Sequence, residues 1–149
     1  MARFAESGEG INVVTGPKET PRVLIVDDEH VIADTLKLIF ANAGMEAMAV
    51  YSAEQAIALM MQWTPHSAIL DVHLPGMSGI DLAIHMQAKY PRCGLTLFSG
   101  HIATADLLER AEKDGYHFDV LAKPVHPADL LRRVTRQLGS VEGEEQETV

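Results

Sequence analysis

Short aliphatic runs and longer stretches of helical period take turns along this chain. The runs at 23–26, 68–70, 95–98 and 120–122 show no polar alternation, as strands buried on both faces require. Residues 45–51 form a further, weaker strand candidate, because Ala and Met dilute its β-forming content. Between the runs, Ile32, Leu36, Ile39 or Phe40, and Ala43 recur at helical spacing, with Gly44 as a stop. Ser52 and Gln55 make a capping box that opens a second helix through about Gln62. Ile80, Ala83, Ile84 and Gln87 define a third, ended by Pro91. Ile102, Ala105, Leu108 and Ala111 define a fourth, ended by Gly115. In the last helix Pro127 suits the first helical position, and Leu130, Leu131, Val134 and Leu138 face inward.

Five strands alternating with five helices predict an α/β fold: a doubly wound parallel sheet covered on both faces, with right-handed crossovers. Residues 1–21 read as a flexible N-terminal leader, 22–138 as the folded unit, and 139–149 as an acidic disordered tail. A chain of 149 residues, 47% apolar and 22% charged, has room for one core of ordinary globular composition. The aliphatic runs are far too short to span a bilayer, and the N-terminus shows no secretory pattern. Cys93 is the single cysteine, so a reducing, cytoplasmic setting is the expectation. Net charge is −9, and about −5 without Glu142, Glu144, Glu145 and Glu147 of the tail. That balance argues against a direct grip on nucleic acid, which needs clustered Lys and Arg. The one basic cluster, Arg132, Arg133 and Arg136, reads as a solvated helix face.

The chemistry lies where each run ends. Asp27 and Asp28 follow the first, Asp71 the third, Ser99 closes the fourth and Lys123 follows the last. The carboxyl ends of parallel strands are where open α/β sheets build their sites. Taken singly, Asp27, Asp28 or Ser99 could cap a helix, Lys123 could be a rim ion pair, and Asp71 could begin a turn. Together they are harder to dismiss. Close carboxylates repel by about 4 kcal/mol per pair at an effective dielectric near 20, so three of them call for cations. Lys123 supplies one, and hard oxygen ligands point to Mg²⁺ rather than zinc for the rest. A carboxylate nucleophile, a metal, a lysine and a hydroxyl form a kit for phosphoryl transfer to an acyl phosphate.

Asp27-Asp28, the stretch at 70–79 (LDVHLPGMSG), Ser99 and Lys123-Pro124 resemble the receiver domain of two-component response regulators, the CheY-like fold, over about 22–138. The resemblance implies strand order 2-1-3-4-5 and Asp71 as phosphoacceptor. It implies that Asp28 binds Mg²⁺ directly, Asp27 mainly through water, and the main-chain carbonyl of His73 completes the protein ligands, with Asp71 in the set. Lys123 would pair with the phosphoryl group, Ser99 would move to hydrogen-bond it, and the Lys123–Pro124 bond would be cis. The implied donor is a phosphohistidine on a sensor histidine kinase or phosphotransfer protein. The implied output is a conformational shift acting on a downstream protein, with a phosphorylation-dependent homodimer as a further possibility. Such a module turns over no separate substrate.

One departure stands out. The position three before the lysine, commonly an aromatic that swings inward on activation, is Val120, with Tyr116 and Phe118 nearby. No aromatic switch role carries over. Of seven histidines, His73 and His101 lie two residues beyond Asp71 and Ser99, where they are candidates to tune phosphoryl lifetime or are merely rim side chains. A zinc site of Asp71 with these two is the weaker reading. His126 reads as a helix entry, Met60, Met61 and Met86 as packing, and Trp63 as a partly buried anchor. Three other functions compete. A haloacid-dehalogenase-like phosphatase would place its nucleophile in an Asp-x-Asp, but Val72-His73 follows Asp71. A flavodoxin-like carrier would need a phosphate-cradling turn where Asp27-Asp28 repel phosphate. A degenerate receiver would bind partners without phosphorylation.

Overall fold

The computed structural model describes residues 19–100, 104–118 and 120–147. In chain order the elements are β1 (Arg22–Val26), α1 (His30–Asn42), β2 (Glu46–Val50), α2 (Ala53–Met60) and β3 (Ser67–Asp71). They continue with α3 (Gly79–Lys89), β4 (Gly94–Ser99), α4 (Thr104–Lys113), β5 (Val120–Ala122) and α5 (Pro127–Glu147). The strands form one parallel sheet in the order β2-β1-β3-β4-β5. The weakest strand candidate, β2, is therefore an edge strand.

The uninterrupted aliphatic runs are explained by two cores, one on each face of the sheet. Leu24, Val26, Ala68, Leu70 and Leu97 face α2, α3 and α4. Val23, Ile25, Ile69 and Phe98 face α1 and α5, against Leu36, Phe40, Leu130 and Val134. Successive strand residues alternate between faces, and both faces are covered, so apolar residues fill most positions and the buried Ser67 and Thr96 need hydrogen-bond partners.

The helix ends follow from local chemistry. Ser52 Oγ accepts the Gln55 amide at 3.1 Å, while Gln55 Oε1 accepts the Tyr51 amide at 2.8 Å. The box thus closes one residue further back than the reciprocal form. Gly44 and Gly115, at φ +94° and +93°, stop α1 and α4 in the left-handed conformation that glycine tolerates. Trp63 is half-buried and donates to Glu46 Oε2 at 3.1 Å.

One sequence expectation needs correcting: the second helix ends at Met60 rather than about Gln62. The last helix is assigned from Pro127 through Glu147. Extending a formed helix adds a hydrogen bond per residue without a new nucleus, and Glu and Gln propagate helix well, so α5 runs on. Most of the leader, residues 1–18, and Ile102 of the fourth helical pattern lie outside the described residues.

α5 is pinned to the sheet by a polar contact invisible in the periodicity. Gln137 Oε1 accepts the buried Ser67 hydroxyl at 2.9 Å, and its Nε2 donates to Leu95 O and Thr96 Oγ1, both at 3.2 Å. One carboxamide satisfies two buried hydroxyls that would otherwise be unpaired.

Gly79 shows why the turn after β3 ends in glycine. Its amide donates to Val72 O at 2.8 Å, and a Cβ there would lie 2.0 Å from the Asp71 carbonyl oxygen. The obstruction is backbone, which cannot swing aside. Gly79→Ala is expected to lower unfolding free energy by roughly 2–4 kcal/mol. Urea denaturation checks this; a midpoint matching wild type would mean that α3 starts with more slack than its contacts indicate.

Candidate functional site

The strand ends converge at one edge of the sheet. β1 and β3 are neighbours, so the residues that follow and finish them, Asp27 and Asp71, lie side by side. Ser99 ends β4 next to them, and Lys123 follows β5, the outer strand on that side. Ligand oxygens of Asp27, Asp28 and Asp71 all lie within 4.8 Å of one another, with Asp28 exposed and the other two buried. Among the described residues this is the group of carboxylates suited to a cation.

Asp27 and Asp71 are built alike. Asp27 Oδ1 accepts the Glu29 amide at 2.9 Å, and Asp71 Oδ1 accepts the His73 amide at 3.2 Å. Each carboxylate is thus fixed by the backbone two residues on. The other oxygen of each meets Lys123 Nζ, at 3.5 Å from Asp27 and 3.3 Å from Asp71. Asp27 does not cap α1, whose N-cap is Glu29.

Burial and crowding raise the carboxyl pKa values. Asp27 is pushed up to about 6, chiefly by burial and further by Asp71, against the pull of the Glu29 amide and Lys123. Asp71 is also raised, by burial first, with Lys123 and the His73 amide opposing and Asp28 adding to the shift. Burial alone would lower the Lys123 ammonium, but Asp71 and Asp27 outweigh it, and the net shift is upward. The site therefore carries a deficit of positive charge, and an added cation fits it.

Ser99 is buried, and its carbonyl accepts the Lys123 amide at 2.9 Å. The Lys123-Pro124 peptide is cis. His73 is half-buried, whereas His101 lies outside the described residues. Val120 is half-buried and sits opposite Leu97 in the β4–β5 ladder. Tyr116 and Phe118, just before β5, stack with ring centroids 6.3 Å apart.

Two participants escaped the sequence reading. The Lys123 ammonium lies 4.7 Å from the Phe98 ring centroid, within cation–π range. It also lies 3.6 Å from Glu29 Oε1. Phe98 had been absorbed into the strand pattern, and Glu29 was overshadowed by the acidic pair before it. Adjacency to Ser99 and to Asp28 was the available signal for each.

Comparison with known proteins agrees with this geometry. Residues 23–135 match the response regulator receiver domain family. The regulatory protein VanR of Enterococcus faecium is 32% identical over 119 residues, covering 78% of this chain and 49% of that protein. The DNA-binding response regulator MtrA of Mycolicibacterium smegmatis is 28% identical over 123 residues, covering 83% of this chain and 53% of that protein. The chain thus spans about half the length of these relatives. Among solved structures, the receiver domain protein from Methanospirillum hungatei superposes with a TM-score of 0.75 at 27% identity, covering 85% of this chain and 99% of that one. The receiver domain of an HD domain-containing protein from Pseudomonas fluorescens gives 0.78 at 26% identity, covering 91% and 98%. The phosphatase and electron-carrier readings have no counterpart in these matches, and the chain belongs to the response regulator receiver domain family.

Proposed function

We propose that this receiver accepts a phosphoryl group on Asp71 from a phosphohistidine of a sensor kinase or phosphotransfer protein, and that the modification shifts its conformation to regulate a downstream partner. The observation that carries the reading is the placement of Asp71. A buried carboxylate closes a central strand, 3.3 Å from the Lys123 ammonium and within one cluster with Asp27 and Asp28.

In the transfer, an Asp71 oxygen bonds to phosphorus as the phosphorus–nitrogen bond of the donor breaks, and the bonding pair returns to the imidazole. Lys123 stands where it can neutralise charge on a phosphoryl oxygen, and Ser99 can donate its hydroxyl to another. Asp27, Asp28 and Asp71, with the His73 carbonyl, would hold Mg²⁺. When bound, it supplies the positive charge that the three carboxylates and the phosphoryl oxygens need. Phosphorylation then biases two conformations of the fold by adding a charge that Lys123 and Ser99 must meet. The downstream response belongs to a partner or to a further domain, since the described unit carries its signal chemistry at one edge of the sheet.

Incubation with Mg²⁺ and acetyl phosphate, followed by intact mass, tests the acceptor. One added phosphoryl group is expected on wild type and none on Asp71→Asn. Absence of an adduct on wild type, together with no response to beryllofluoride, would instead favour a receiver that works by binding alone.

The charge deficit generates a second expectation. Asp27 has a folded pKa of about 6, above its ordinary 3.8, so the folded state holds the proton more tightly than the unfolded one. Ionisation of Asp27 therefore subtracts stability, beginning as pH rises past the ordinary value and complete once it passes about 6. In EDTA at neutral pH, Asp27→Asn is expected to be more stable than wild type by roughly 1–3 kcal/mol, with the gap closing towards pH 4. Mg²⁺ should narrow or reverse the gap by binding wild-type folded protein. Chemical denaturation across pH, with and without Mg²⁺, measures both. A pH-independent gap would remove Asp27 ionisation as the cause.

His73 and His101 stand two residues beyond Asp71 and Ser99, positions that the receiver resemblance implies flank the approach of water. Replacing both with Ala is expected to change the dephosphorylation rate of phospho-Asp71, followed by mass after donor removal. An unchanged rate would make them rim side chains.

A further inference from the structure

Glu29 stands outside the cation-binding carboxylates yet shares their lysine. Its Oε1 lies 3.6 Å from Lys123 Nζ, close to the distances of Asp71 and Asp27 from the same atom. Unlike those two, its side chain is 63% exposed, so it sits at the mouth of the pocket. It has no capping duty: as the N-cap of α1 it makes no side-chain cap hydrogen bond. Backbone contacts hold it in place. Its amide donates to Asp27 Oδ1 at 2.9 Å, and its carbonyl accepts the Ala33 amide at 3.0 Å. The turn that orients Asp27 thus also presents a second negative charge at the entrance.

Resting on the phosphoacceptor reading, we propose that Glu29 is an electrostatic brake on phosphorylation of Asp71, one that sets the preference among donors by their charge. Transfer from an acyl phosphate breaks the bond between phosphorus and the acyl oxygen, which leaves with the bonding pair as carboxylate. An Asp71 oxygen forms the new bond, and the phosphoryl oxygens stay negative throughout. The ammonium that must meet this charge is Lys123. Every moment it spends paired with Glu29 opposes that encounter, and Glu29 repels the arriving donor in proportion to the donor's charge. Glu29 is therefore a positioning residue acting through Lys123, and the field it adds also favours a cation in the pocket.

These two effects have opposite signs, which separates charge from mere structure. The test compares wild type, Glu29→Gln and Glu29→Lys. Intact mass follows phosphorylation at saturating Mg²⁺ by acetyl phosphate, a dianion, and by phosphoramidate, of lower charge. Calorimetry measures Mg²⁺ binding to the same proteins without donor. Glu29→Gln is expected to accelerate acetyl phosphate transfer roughly three- to tenfold at low salt, less for phosphoramidate and less at high salt. Glu29→Lys should extend the same trend, and Mg²⁺ affinity should fall in the same order. Equal or slower transfer in both variants, or acceleration that ignores donor charge and salt, would overturn the brake while leaving Asp71 as acceptor. Absence of an adduct in all three proteins, together with no response to beryllofluoride, would remove the acceptor reading and the brake with it.

Discussion

The sharing of one ammonium group among several carboxylates is the interaction on which the rest of this structure depends. Asp27 and Asp71 are buried at the ends of adjacent central strands, where an uncompensated pair of charges would cost several kcal/mol. Lys123 offsets part of that cost by reaching from the far end of β5 across the Phe98 ring at the end of β4. The reach works only because the strand order puts β4 between β3 and β5, with β1 on the other side of β3. Strand order, the apolar runs that bury the strands and the polar residues at their ends are thus one design. What Lys123 leaves uncompensated is negative charge, because the exposed Asp28 carboxylate stands beside the buried pair.

Much of this was legible in the chain because parallel strands buried on both faces carry no charged residue along their buried length, so charges at their ends stand out. Asp27, Asp28, Asp71, Ser99 and Lys123 stood out as interruptions at the ends of aliphatic runs, and the structure gathers them at one edge. The helix stops at Gly44 and Gly115 were legible for a different reason: a residue without a Cβ marks a left-handed backbone wherever it follows a periodic stretch. Those signals are local or periodic.

The features that stayed hidden are neither local nor periodic. Gln137 lies 70 residues from its partner Ser67, and nothing near either residue marks the contact. Phe98 serves two functions at once, packing in the core beneath α1 and α5 while its ring carries the lysine, and the hydrophobic pattern records only the first.

The same contacts suggest how a charge added at Asp71 would be felt elsewhere. An aromatic residue at position 120 would offer a ring with two discrete placements, whereas Val120 has a short branched side chain facing Leu97 in the ladder. The backbone connection remains. Lys123 donates its amide to the Ser99 carbonyl, and Ser99 faces Ala122 in the same ladder, so the hydroxyl and ammonium that would meet a phosphoryl group sit on hydrogen-bonded strands. A pull on either one works against the short β5. Gln137 holds α5 to Ser67 of β3 and to Leu95 and Thr96 of β4, near the opposite edge of the sheet from Asp71. That anchor restrains the middle of α5, while Leu130 and Val134, buried in one core with Ile25, Ile69 and Phe98, hold its first half to the same sheet.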